Sequence, residues 1–141
     1  MRSLAALGMT VCALLLAAIT SASAQSPPAL ACMAPLKSAV ELNLYFGRDR
    51  PGGEVSEAEW TTFLSQEVTP RFPDGLSVIN VAGQSREAMG PVEREKTKLP
   101  IIVVFDAPAH QSKVVAIVDA YKKRFAQNAV FRVEKPVCAG I

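Results

Sequence analysis

Apolar and polar residues alternate over Glu41 to Phe46, with Leu42, Leu44 and Phe46 on one side and Glu41, Asn43 and Tyr45 on the other. A period of two is that of an extended strand with one buried face, because successive side chains leave a pleated backbone on opposite sides. A turn rich in glycine and proline follows from Gly47 to Glu54. The period then changes. Trp60, Phe63, Leu64 and Val68 fall on one face of a helix that Pro70 stops. Ser56 and Glu59 stand at the spacing of a capping box, in which each side chain bonds the other residue's backbone N–H.

Phe72-Pro73-Asp74-Gly75 reads as a tight turn into a second strand, Leu76 to Val81. Met89-Gly90-Pro91 reverses the chain, and the charged stretch Glu93 to Lys98 leads into the β-branched run Ile101 to Phe105. Such an unbroken run suits a central strand buried on both faces, with full pairing expected only beyond Pro100, which has no N–H to donate. Pro108 suits a first helical turn, and Val114, Ile117, Val118, Tyr121 and Phe125 recur at helical spacing up to Asn128. A fourth strand follows from Val130 to Lys135.

The order βαββαβ predicts an α+β ferredoxin-like sandwich, a four-stranded antiparallel sheet ordered 4-1-3-2 with two helices on one face. The short link between the second and third strands allows only an antiparallel hairpin, which argues against an open parallel sheet.

The start of the chain has a different character. Arg2 precedes an apolar run from Leu4 to Ile19 that ends on Ala22-Ser23-Ala24, the small-x-small pattern of a signal-peptidase site. The expected organisation is a signal over residues 1–24, an extended lead-in over 25–40 and one domain over 41–141. The expected location is the periplasm or the exterior after cleavage following Ala24. Cys12 leaves with the signal, so Cys32 and Cys138 remain near the two ends. In an oxidising compartment such a pair forms a disulfide. The topology agrees, because the end of the fourth strand lies beside the start of the first. The alternative makes Cys32 a lipidated N-terminus, on a weak lipobox at Leu30-Ala31-Cys32, and only then does a membrane become a partner.

The whole chain carries fifteen Lys and Arg against thirteen Asp and Glu. Its charges alternate in sign, as in Glu93-Arg94-Glu95-Lys96, which argues against nucleic acid as a partner. No cofactor motif and no nucleophile or metal-ligand pattern stands out. His110, the only histidine, reads as an exposed residue at a helix start, and Trp60 as core. Arg48 and Arg50 read as solvated turn residues. Arg86, Glu95 and Lys98 flank one hairpin, where either Arg86 facing Glu95 makes a surface ion pair or Arg86 and Lys98 make an anion site. Helices cover one face of the sheet, so Asn43, Tyr45, Arg132 and Glu134 are expected on the other, over the apolar third strand. A face of that kind calls for a second subunit or a ligand.

Leu44-Tyr45-Phe46-Gly47, Val55-Ser56-Glu57-Ala58-Glu59-Trp60 and Thr69-Pro70-Arg71-Phe72-Pro73-Asp74-Gly75-Leu76 together resemble the bacterial family catalogued as domain of unknown function 3574. Gly83, Arg94-Glu95 and Lys98 also fit its pattern, and the resemblance covers Leu42 to Phe125. It implies a small exported protein, in some members a lipoprotein, and no established activity. Ser85 stands where the family often carries Trp. Three functional classes follow: a binding or interaction module without catalysis, a small dimeric α/β-barrel-type enzyme with a pocket on the open face, and a partner of another exported protein through an edge strand.

Overall fold

The computed structural model describes residues 31–86 and 88–141, so the expected signal and the first six residues of the lead-in, 25–30, lie outside the described residues. The elements in order are β1 (Lys37–Gly47), β2 (Asp49–Arg50), β3 (Gly53–Glu54), α1 (Glu57–Phe63), a π-helical turn (Leu64–Val68), β4 (Ser77–Arg86), β5 (Val92–Val104), α2 (His110–Phe125) and β6 (Phe131–Ala139). The four long strands form one antiparallel sheet in the order β4-β5-β1-β6. Among the described residues no helix is long and apolar enough to cross a membrane.

Leu42, Leu44 and Phe46 of β1 point to the face that both helices cover, with Ile102 and Val104 of β5 beside them. Trp60 and Phe63 come from α1, and Val114, Ile117, Tyr121 and Phe125 from α2. Aromatic rings fill the centre: Phe46 meets Tyr121 at 4.7 Å, Trp60 at 5.3 Å and Phe63 at 5.9 Å between centroids. Tilted and edge-on contacts of this kind add to the gain from area burial, because a ring's positive edge meets its neighbour's negative face. Burial first, and then the nearby Glu95 carboxylate, push the Tyr121 phenol well above its ordinary pKa. It therefore stays protonated and donates to the Gly47 carbonyl at 2.8 Å, tying α2 to the end of β1.

The capping box forms: Ser56 Oγ accepts from Glu59 N–H and the Glu59 carboxylate accepts from Ser56 N–H. The helix behind it changes register early, with Thr69 N bonding Leu64 O at 2.9 Å, so the turn before Pro70 is wider than an α-helix.

All four long strands run beyond their expected limits, β4 continuing past Val81 to Arg86 and β6 past Lys135 to Ala139. β1 starts at Lys37, inside the expected lead-in, because Lys37 to Val40 pair with Ala139 to Pro136 of β6. That partner is far away in sequence and leaves no local signal in the lead-in. β5 runs straight through Pro100, which pairs with Val78 of β4. The missing N–H interrupts only the ladder to β1, which breaks between Asn43–Ile101 and Phe46–Lys98. Beyond Thr97 the β4–β5 hairpin leaves the sheet as a two-stranded ribbon. Cys32 and Cys138 are joined, with Cα atoms 5.5 Å apart.

Candidate functional site

Register decides which side chains reach the free face of the sheet. Asn43 and Tyr45 stand opposite Val133 and Phe131 of β6, on the side away from the helices, as expected. Arg132 and Glu134 do not join them. They pair with Leu44 and Leu42, whose side chains enter the core, so both lie on the helix face. Alternation along β6 separates its two faces without stating which one meets the helices, and the apolar set here faces outward. At this edge the helix face is filled by a polar cluster at the start of α2. Arg132 bonds Gln111 Oε1 and pairs with Glu134 at 2.6 Å, while Gln111 Nε2 donates to Glu134 at 3.0 Å. His110 belongs to this cluster and is only 2% exposed, against the exposed position expected for a helix start. Its Nε2 lies 2.9 Å from Gln111 Nε2 and 3.4 Å from Glu134.

The three residues of the expected hairpin site are dispersed. Arg86 faces Val92, three positions along β4 from Gly83, the residue that faces Glu95. Lys98 is buried on the helix face, bonding Glu57 and Asn80 at 2.6 Å each. Arg48 is buried beside it and bonds Val55 O, Glu54 and Glu57, so it is a structural cation and not a solvated turn residue. Lys98 and then Arg48 hold the Glu57 carboxyl below its ordinary pKa. Both cations are fully engaged with protein groups.

Glu95 alone of that set reaches the free face, and there it borders a cleft of about 890 Å³ where the ribbon leaves the sheet. The floor of the cleft is Thr97, which pairs with Gly47 on one side and Val81 on the other. Thr97 is 8% exposed and its hydroxyl makes no hydrogen bond among the described residues. Gly83 stands diagonally across from it: a Cβ there would lie 3.7 Å from Thr97 Oγ1. Neither glycine is needed for a left-handed backbone, since neither has positive φ. Their reasons differ. A Cβ at Gly47 would fall 2.2 Å from Glu95 Oε1, so that glycine makes room for the carboxylate, whereas a Cβ at Gly83 would make ordinary contacts only. Glu95 Oε1 is fixed by the Asp49 N–H at 3.0 Å, and Oε2 takes no hydrogen bond among the described residues. Tyr45 and Phe131 form the opposite wall, with ring centroids 5.6 Å apart and Phe131 67% exposed.

Sequence reasoning named Tyr45 and Glu95 as candidates, met Gly47 and Gly83 only as part of a family pattern, and missed Thr97 and Phe131. Two glycines around a threonine carry no local signal, because the notch exists only once three strands are aligned. Among the described residues no group of three His, Cys, Asp or Glu is placed to hold a metal ion.

Two helices on one face of a four-stranded antiparallel sheet, with a cleft on the other, make this a small two-layer α+β domain. The chain belongs to the family described as protein of unknown function (DUF3574), whose model matches residues 41–140. No curated protein matches it in sequence. Among solved structures it is similar to a phage SAM lyase in complex with S-methyl-5'-thioadenosine, at 14% identity and a TM-score of 0.53, covering 72% of this chain and 90% of that one. It is also similar to a phage SAM lyase in the apo state, at 14% identity and a TM-score of 0.56, covering 78% and 92%. At that identity the likeness is one of fold.

Proposed function

We propose that this chain is an exported binding module of ferredoxin-like topology that holds a small molecule in the cleft over Thr97. The strand order β4-β5-β1-β6 supports the topology. The observation that carries the function is a threonine hydroxyl, on a nine-tenths buried residue, left without a partner at the bottom of a cleft. The hydroxyl opens onto the cleft, so a ligand seated there can bond it directly, a hydrogen bond of that kind contributing about 0.5 to 1.5 kcal/mol net. The disulfide supports an oxidising compartment. It also consumes the Cys32 thiol that a lipid anchor would need. Native mass spectrometry of the purified protein tests the reading. A bound small molecule on the wild type that is absent from Gly83→Leu is the expected result, and a strictly ligand-free wild type that also takes up nothing from a metabolite extract contradicts it.

A second reading is a small enzyme whose cleft is enclosed by another copy. Ile79 is 47% exposed and Val103 37%, on the same face of the sheet as Phe131, which supports apposition of two such faces. The lyase neighbours add that this fold can carry a reaction. Consumption of S-adenosylmethionine by the purified protein, lost in Gly83→Leu, is the outcome that favours this reading. Binding without turnover favours the first.

A further inference from the structure

The charges and rings around the cleft restrict what it can hold, and this step rests on the cleft being a binding site. Asp49, Glu93 and Glu95 line it against Arg94. Glu95 is the anion whose position is fixed, with one oxygen on the Asp49 N–H and the other left open. The facing wall is the Tyr45–Phe131 ring pair. A carboxylate with a free lone pair attracts a cation or a hydrogen-bond donor, and ring faces attract cations and flat apolar groups. An anionic ligand would meet three carboxylates and one guanidinium.

We infer that the cleft takes a ligand made of a flat ring carrying a cationic amine, the amine against Glu95, the ring on Tyr45 and Phe131, and a polar edge over Thr97. The notch above Gly83 is where the ring edge enters, since that position lacks a side chain for no conformational or packing reason.

Three probes with one ring and different charge test this by titration calorimetry: tryptamine as the cation, tryptophol as the neutral analogue and indole-3-propionate as the anion. The wild type should bind tryptamine with a Kd at or below about 1 mM and at least about tenfold more tightly than the other two. Glu95→Gln should lose that preference while keeping the weak ring binding, and Gly83→Leu should bind none of the three. Circular dichroism establishes that both variants are folded. Equal affinity for the three probes, or preference for the anion, with Gly83→Leu still blocking binding, overturns the cationic class and leaves the cleft as a site. Failure of every probe to bind the wild type at millimolar concentration overturns the class and counts against the cleft itself.

Discussion

Thr97 and the glycines around it separate stability from binding more cleanly than any other residues in the fold. Thr97→Val removes a hydroxyl that has no partner and keeps the branched shape, so it should leave stability unchanged or raise it by up to about 1 kcal/mol while weakening ligand binding. Denaturant unfolding and calorimetry on the same sample check both halves. At Gly47 the group in the way of a Cβ is the end of the Glu95 side chain, which can swing aside. Gly47→Ala should therefore cost no more than about 1 kcal/mol yet release Glu95 from the Asp49 N–H.

Glu59 gives a pH prediction at the same scale. Its bonds to the Ser56 backbone N–H and hydroxyl, and then to Arg50, hold the carboxyl down at about 2, against 4.5 unperturbed. A depressed folded-state pKa contributes stability that is fully present above about 4.5 and is lost as the pH falls toward about 2. Glu59→Gln should flatten that part of the acid limb, measured by urea unfolding across the window, and salt should shrink the difference because the group is exposed. This capping box was legible in the sequence because both of its partners lie within four residues. The direction of Arg132 and Glu134 was not, because it depends on the pairing of β6 with β1, from the other end of the chain.

Elements follow the same division between local and distant causes. Both helices and the β4–β5 hairpin announce themselves through periodicity, a cap and a turn. The start of β1 at Lys37 and the passage of β5 through Pro100 do not, since each is set by a neighbouring strand. Packing between elements converges on Phe46, which is fully buried and touches rings from α1 and α2. Phe46→Ala should cost about 3 to 5 kcal/mol, read as a lower denaturation midpoint with little change in slope. It leaves the free face of the sheet untouched, so any loss of ligand binding should follow the loss of folded protein.

For the whole molecule, the disulfide and the free sheet face set behaviour. Cys32 and Cys138 close a loop spanning 106 residues of sequence separation. Chain-entropy reasoning gives a loop of that size an upper value of about 4.7 kcal/mol, so Cys138→Ser should unfold at a clearly lower denaturant concentration. The central claim is that the free face is the working surface and that the Thr97 cleft is its centre. Mapping amide shifts in isotope-labelled protein during a tryptamine titration tests this most directly. The account predicts saturating shifts concentrated at Gly47, Gly83, Glu95 and Thr97, with the amides of α1 and α2 unmoved. Shifts spread over the helices, or confined to the His110 cluster at the start of α2, would contradict it.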